Sequence, residues 1–205
     1  MFRALLLFGG LLFFSSVQSQ SFIGLGGGGG WTDRAGLRAS IPFEYSFNPY
    51  ISVQSELNFA QRRNRDVIQL LIIMGERDYR QATLNYLSIP VLAKFKLPFG
   101  QLNPYVVLGP EVAYGVSLNT TYVEDNRIFT QRASYDDFYI DHWDFGMNFG
   151  IGMEKVTDHY HKIFLECRFY LGVYDYLQLP DQETFNENST LVLGFSYALF
   201  RKEKE

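Results

Sequence analysis

Residues 86–98, YLSIPVLAKFKLP, alternate between a wholly apolar row and a more polar row. The apolar row comprises Leu87, Ile89, Val91, Ala93, Phe95 and Leu97, and the other comprises Ser88, Pro90, Leu92, Lys94 and Lys96. Because successive side chains of a strand point to opposite faces, this stretch is predicted to be a strand with one apolar and one charged face. The alternation fits two structures: a soluble β-sandwich with its lysines in water, or a membrane barrel with its lysines inside.

The same period of two recurs along the chain and predicts eight strands, with no convincing amphipathic helix. The strands are predicted at residues 22–31, 37–47, 51–62, 86–98, 104–118, 142–155, 162–174 and 190–200. Tight turns are predicted at residues 48–50, 99–103 and 157–161, and long loops at residues 63–83, 119–138 and 176–188. This alternation is typical of outer-membrane barrels, which have short periplasmic turns and long extracellular loops.

Three features of the strands favour the barrel over the sandwich. The polar faces carry charges of both signs at mid-strand positions, which predicts a charge network in a lumen: Arg38, Glu44, Glu56, Lys94, Lys96, Glu111, Asp144, Glu154, Glu166 and Arg168. Glycines recur on the same faces and suit the crowded concave side of a tight barrel: Gly28, Gly146, Gly150, Gly152 and Gly194. The apolar faces carry aromatics near strand ends, as an interfacial girdle does: Trp31, Phe47, Tyr114, Trp143 and Tyr197. The predicted fold is all-β, an eight-stranded antiparallel up-and-down transmembrane β-barrel.

The N-terminal segment has the pattern of a signal peptide. Arg3 precedes the apolar residues 4–14, and Val17 and Ser19 suit the positions before a cleavage site. About eleven apolar residues are too few for the roughly 20 that a spanning helix needs. We therefore expect a signal peptide at residues 1–19, a barrel domain at 20–200 and a charged C-terminal tail at 201–205.

Composition narrows the function further. The formal net charge of -4 argues against nucleic-acid binding, which normally shows as a basic patch. The single cysteine, Cys167, cannot form an internal disulfide and is interpreted as a small surface residue of a strand. The glycines of residues 24–31 lack the following helix and the lysine of a phosphate-binding loop, so no cofactor is expected.

Residues 86–116 resemble the signature of the PorT-like outer-membrane β-barrel family, the small "porin family" barrels common in Bacteroidota. A Tyr-Leu-x-Ile-Pro strand is followed by a Pro-Tyr-x-x-x-Gly-Pro strand, here Tyr86, Leu87, Ile89 and Pro90, then Pro104, Tyr105, Gly109 and Pro110. The resemblance implies an outer-membrane barrel of a Gram-negative bacterium. It also suggests a more specific function for such a barrel, a role beside the type IX secretion machinery. One departure is the tail RKEKE after Phe200, since many such barrels end on the terminal aromatic residue.

The best enzymatic candidate is the acidic stretch 135–144, which contains Asp136, Asp137, Asp141, His142 and Asp144. A carboxylate beside a histidine can act as a general base, so a rim hydrolase is one alternative function. We instead expect His142 to share the lumen with Asp144 and to join the charge network with Lys94, Lys96 or Arg168. His159 and His161 could form at most a weak surface metal site, so no metal is expected.

The leading hypothesis is a non-enzymatic, monomeric outer-membrane barrel that acts structurally or binds a protein partner through its extracellular loops. Its other expected partners are outer-membrane lipid and the barrel assembly machinery. The apolar run at residues 66–75 is interpreted as a strand extension, with a partner-binding patch as the alternative. A secreted soluble β-protein that binds a small ligand remains a further alternative.

Overall fold

The computed structural model describes residues 20–31, 35–63, 78–125, 127–135, 140–157, 161–175 and 185–199. These residues form nine strands: β1 (Gln20–Trp31), β2 (Ala35–Ser46), β3 (Ile51–Arg63), β4 (Asp78–Lys96), β5 (Leu102–Glu124), β6 (Arg127–Ala133), β7 (Trp143–Val156), β8 (Lys162–Asp175) and β9 (Phe185–Ala198). None of the described residues is helical, and none belongs to a helix long and apolar enough to cross a membrane.

Eight of these strands close into an antiparallel barrel. Neighbours along the chain pair with each other, β5 pairs with β7, and β1 closes the ring by pairing with β9, for example at Gly26↔Gly194. The remaining strand, β6, pairs with the upper part of β5 and is not one of the eight strands of the barrel wall. The predicted fold class, an all-β eight-stranded antiparallel barrel, is therefore confirmed.

Three short connections lie together at one end of the barrel, which we call the periplasmic end. They are residues 47–50, 97–101 and 157–161, and the start of β1 lies at the same end. In the second of these turns Gly100 has a φ of 64°, in the left-handed region that glycine adopts at no steric cost. The opposite, extracellular end carries the longer connections that follow β3, β6 and β8, together with the three-residue connection between β1 and β2.

The apolar rows of the strands face outward, and the polar rows face the lumen. In β4, Leu87, Ile89 and Phe95 are exposed on the exterior, whereas Lys94 and Lys96 are buried. Along β7 the outward row from Trp143 to Met153 is apolar, and the first outward charge is Lys155. Ten residues of a tilted strand span about 25 Å, the height of a lipid-facing band. The lysines of residues 86–98 therefore point inward because lipid covers the other face.

The aromatics predicted for the girdle are exposed near both ends of the band. Tyr114 and Trp143 are cross-strand partners near the extracellular end, with ring centroids 5.0 Å apart, and Trp31 lies at the same end of β1. Phe47 and Tyr197 lie near the periplasmic end, and all five side chains are exposed. Cys167 is also exposed on the outer surface of β8.

The strand boundaries differ from the prediction above the extracellular end of the band. Residues 119–138 are predicted to be a loop, but β5 continues to Glu124 and turns into β6. The predicted loops 63–83 and 176–188 are likewise shorter, because β4 begins at Asp78 and β9 begins at Phe185. The alternation fails here for a physical reason: beyond the membrane neither face of a strand meets lipid, so neither face has to be apolar.

Several predictions fall on residues outside those described. They concern the signal peptide 1–19, the apolar run 66–75, Asp136, Asp137, His159 and the tail 201–205.

The charged lumen as the candidate functional site

All ten charged residues assigned to the lumen are buried, each with 7% or less of its surface exposed. Two further buried cations, Arg62 and Lys162, complete the set. The buried charges of the described residues thus comprise six cations and six anions and balance each other. Charges buried in this way are tolerated only when they are paired and hydrogen-bonded. They form three layers along the barrel axis.

The periplasmic layer holds three lysines around two carboxylates. Lys94 Nζ donates to Glu154 Oε2 at 2.7 Å and to Glu44 Oε2 at 3.1 Å. Lys96 Nζ and Lys162 Nζ both donate to Glu44 Oε1 at 2.9 Å. The layer carries one cation more than it has anions.

Aromatic rings line this layer and cover the ammonium groups. Lys94 Nζ lies 3.9 Å from the ring centroid of Tyr105, and Lys162 Nζ lies 3.5 Å from that of Phe22. Both distances suit cation–π attraction, which strengthens when the cation is desolvated.

The middle layer is electrically balanced, with two arginines and two glutamates. Arg168 donates to Glu56 through both terminal nitrogens, at 2.7 and 3.1 Å, and through Nε to Glu166 at 2.6 Å. Arg38 Nη2 donates to Glu56 Oε2 at 3.2 Å. The Tyr105 hydroxyl donates to Glu166 Oε2 at 3.1 Å and links this layer to the one below. Bidentate pairs of this kind fix geometry as well as charge.

The extracellular layer centres on Arg62. Its guanidinium donates to Asp144 Oδ2 at 2.6 Å and to Glu111 Oε1 at 3.2 Å. It lies between the rings of Tyr86 and Tyr170, with its carbon 4.7 and 4.4 Å from the two centroids. Of the described residues, Arg62 is the only buried cation in this layer, which leaves the layer with one anion in excess.

An apolar cluster closes the lumen above the extracellular layer. Tyr135 follows β6 and Ile140 precedes β7 in the sequence, and the two residues are only 2% and 3% exposed. They pack against inward residues of β4 and β5: Ala82, Leu84, Tyr86, Ala113, Leu118 and Tyr122. The Tyr135 ring occupies the space that a side chain at Gly115 would need, and its hydroxyl donates to the Ser117 carbonyl at 3.2 Å. The barrel mouth is thus filled by side chains.

Glycines on the lumen face make room for aromatic rings. A methyl group added at Gly152 would overlap the Tyr105 ring, and one added at Gly194 would overlap the Phe164 ring. Glycine in a strand often marks such a close approach. These rings fill the space between the charged layers.

The residues of the family motif build the walls beside this network. Tyr86 and Tyr105 contact Arg62 and Lys94 inside the barrel, whereas Leu87 and Ile89 face outward. Pairing of β3 with β4 stops at Ser55↔Val91 and resumes at Asn58↔Ser88.

Pairing of β4 with β5 likewise stops at Pro90↔Glu111 and resumes at Ala93↔Leu108, across from Gly109 and Pro110. Proline has no N–H to donate to a ladder, which explains both interruptions. Pro104 lies at the start of β5, opposite Met153. The motif thus interrupts the backbone ladders on both sides of β4.

Among the described residues of the acidic stretch 135–144, Asp144 and His142 do not make the contacts that were predicted for them. Asp144 points into the lumen and pairs with Arg62 rather than with Lys94, Lys96 or Arg168. His142 lies at the rim, where its Nδ1 contacts the Gly115 carbonyl at 3.0 Å and its ring stacks on Tyr114. The prediction that His142 joins the lumen network is wrong, because strand β7 begins only at Trp143. Asp141 accepts a hydrogen bond from the Trp143 backbone N–H at 2.9 Å.

Arg62 and Lys162 are absent from the predicted network, although the sequence contains the signal. Arg62 continues the inward row of β3 that includes Glu56, and Lys162 begins the inward row of β8 that includes Glu166 and Arg168. Residues at an even spacing along a strand share a face, so extending each row by parity would have included both.

The buried charges of the lumen pair with one another and do not form a metal site among the described residues. The buried carboxylates are engaged by lysines, arginines or amides, and no group of three or more metal-ligating side chains occurs among the described residues. Fold and lumen together define a small transmembrane β-barrel with a filled interior.

The chain matches the sequence model of the family described as "Outer membrane protein beta-barrel domain" over residues 11–178. It belongs to this family of outer-membrane β-barrel proteins.

Several solved structures resemble the fold at low identity. Neisserial surface protein A has a TM-score of 0.46 at 11% identity, covering 87% of this chain and 95% of that one. Ail, the attachment invasion locus protein of Yersinia pestis, has a TM-score of 0.45 at 14% identity, covering 90% of this chain and 100% of that one. The outer membrane enzyme PagL has a TM-score of 0.48 at 10% identity, covering 85% and 97%. No curated protein matches the chain. Similarity at this level assigns no function.

Proposed function

We propose that this protein is a non-enzymatic outer-membrane barrel that acts through its extracellular surface and not through its lumen. The observation that carries the proposal is the balance of six buried cations and six buried anions in a lumen capped by an apolar cluster. A solute path would need a continuous opening along the axis, and the interior of an eight-stranded barrel is only wide enough for side chains. What remains available for function is the surface above the membrane.

Closure of the lumen is tested by conductance and cysteine access. We expect the purified protein in planar bilayers to give no unitary current steps. In a Cys167→Ser background, Ser52→Cys, at a lumen position that is fully buried, should resist a water-soluble thiol reagent, whereas Thr130→Cys on exposed β6 should react. Steady current steps that the reagent blocks only in the Ser52→Cys variant would overturn the proposal.

The resemblance of Tyr86–Pro90 and Pro104–Pro110 to the PorT-like motif supports a more specific proposal, a role beside the type IX secretion machinery. In this proposal the chain is exported by residues 1–19, inserted by the barrel assembly machinery and present as a monomer in outer-membrane lipid. The surface open to a protein partner is the sheet formed by the upper parts of β4 and β5 with β6.

Crosslinking in intact cells, followed by identification of the joined proteins, tests this role. We expect crosslinks from a photoreactive residue introduced at Ile128, which is 75% exposed, to components of the secretion machinery. The matched control is the same residue at Leu193, which is 60% exposed on the membrane side and should crosslink to lipid. Recovery of the mature chain in the periplasm or medium, or crosslinks from Ile128 to lipid alone, would contradict the proposal.

A further inference from the structure

Strand β6 forms one edge of the sheet that rises above the barrel. It pairs with β5 along its whole length, from Glu124↔Arg127 to Leu118↔Ala133. Within the described part of the chain, no strand pairs with its other edge. Residues 127–132 are all exposed. An exposed edge presents a row of backbone donors and acceptors on which another chain can form a strand.

This edge lies on the aqueous side of the membrane. The girdle pair Tyr114↔Trp143 marks the extracellular interface on β5. Beyond it β5 continues to Glu124, which at about 3.3 Å per residue is a rise of roughly 30 Å along the strand. Because β6 pairs only with residues 118–124 of β5, its edge is open to soluble partners and not to lipid.

The hairpin register determines which backbone groups are available. Glu124 and Arg127 are paired across a two-residue turn whose first residue, Asp125, has a φ of 49°. In such hairpins the pair that closes the turn is hydrogen-bonded, and the bonded pairs then alternate. Residues 127, 129, 131 and 133 therefore bond to β5, and the N–H and C=O groups of Ile128, Thr130 and Arg132 point away from it.

The side chains of β6 define the chemistry of a matching strand. Arg127 and Arg132 stand near its two ends, and β6 itself carries no acidic residue. Between them lie Ile128, 75% exposed, and Phe129, 40% exposed, which stacks on Tyr122. A strand added here would be complementary if it had carboxylates five residues apart, opposite the arginines, and β-branched or aromatic residues between them.

A second copy of this chain does not fit the edge. Two copies in one membrane point the same way, so their β6 strands could meet only in parallel. The outward side chains of the barrel walls below, such as Trp143 and Phe145, would also hold the two walls about 10 Å apart, whereas paired strands need about 4.8 Å. A flexible segment of another protein has neither restriction.

We propose that the free edge of β6 binds an extended, acid-flanked segment of a partner polypeptide, which adds to the sheet as an antiparallel strand. The proposal deepens the surface function proposed above and rests on it. Backbone hydrogen bonds supply the affinity in this kind of recognition, and side chains at alternate positions supply the specificity. The two arginines select for carboxylates and against basic segments.

The direct test uses two isomeric peptides and the full-length barrel in phosphatidylcholine nanodiscs. The peptides share the sequence Glu-Val-Thr-Val-Thr-Glu and carry three backbone N-methyl groups, at positions 1, 3 and 5 or at positions 2, 4 and 6. In antiparallel register the first set faces Arg132, Thr130 and Ile128, and the second set faces away. We expect the first peptide to bind at least about tenfold more weakly by fluorescence anisotropy, because it loses the hydrogen bonds to β6.

Variants of β6 separate backbone pairing from other contacts. Thr130→Pro removes one of the outward N–H groups and should reduce the difference between the two peptides, whereas Thr130→Val keeps that N–H and should preserve the difference. Heat-modifiable mobility on gels checks that both variants are folded. Equal binding of the two peptides, no binding of either, or unchanged discrimination by Thr130→Pro would overturn the proposal. Those results would not affect the proposal that the lumen is closed, because cysteine access and conductance test that proposal separately.

Discussion

Arg62→Met should destabilise the barrel by about 3–5 kcal/mol, the largest effect that we expect from any single substitution. Arg62 is the one buried cation between Asp144 and Glu111 in the described residues, at 2.6 and 3.2 Å, and both carboxylates stay buried when it is removed. Urea unfolding from lipid vesicles measures the loss. The two tryptophans, Trp31 and Trp143, lie on the exterior, so their fluorescence reports departure from lipid.

Two matched variants identify charge as the cause. Arg62→Lys keeps the cation but loses the forked geometry that serves two carboxylates, so its stability should lie between those of the wild type and Arg62→Met. The triple variant Arg62→Met, Glu111→Gln, Asp144→Asn removes the whole charged group and should recover most of the loss, because neutral replacements of a buried ion pair are often tolerated. A triple variant no more stable than Arg62→Met would attribute the effect to packing between Tyr86 and Tyr170.

Phe149→Arg should cost roughly 2–4 kcal/mol, since it places a cation on the lipid face near the bilayer midplane. Phe149 lies in the middle of β7, and its side chain is 46% exposed on the exterior. Phe149→Leu keeps the apolar character and should cost less than about 1.5 kcal/mol. Leu97→Arg, near the periplasmic interface, should cost no more than about 1 kcal/mol, because the penalty falls with distance from the midplane. The same urea unfolding measures all three variants.

The adjacent residue provides the opposite control. A methyl group at Gly150 would lie 2.7 Å from Val107 Cγ2 and 3.0 Å from the Cys167 carbonyl oxygen. Gly150→Ala should therefore cost less than Phe149→Arg and act through crowding in the lumen alone. Normal assembly of Phe149→Arg together with failure of Gly150→Ala would mean that the two faces of β7 had been assigned the wrong way round.

The barrel itself could be predicted because lipid imposes a simple rule on every residue of a spanning strand. Outward side chains between the girdles are apolar with few exceptions, such as Ser55 in β3, so a period of two survives in β3, β4 and β7 and fixes both faces. The same parity places Lys94, Glu56 and Glu166 inside. Extending the inward rows of β3 and β8 by the same parity also places Arg62 and Lys162 inside.

The sequence by itself determined the number of barrel strands, the direction of each face and ten of the twelve charges that the described lumen encloses, because these depend only on local alternation. Only the tertiary structure decided which buried charges pair with each other. Asp144 meets Arg62 across 82 positions of sequence, and Lys162 meets Glu44 across 118, according to the stagger of strands around the barrel. It also decided the open edge of β6. Above the membrane the side chains do not contact lipid, so the sequence of a strand there need not alternate between apolar and polar residues. Such a strand is recognised only from the neighbour with which it pairs and from the edge that it leaves free.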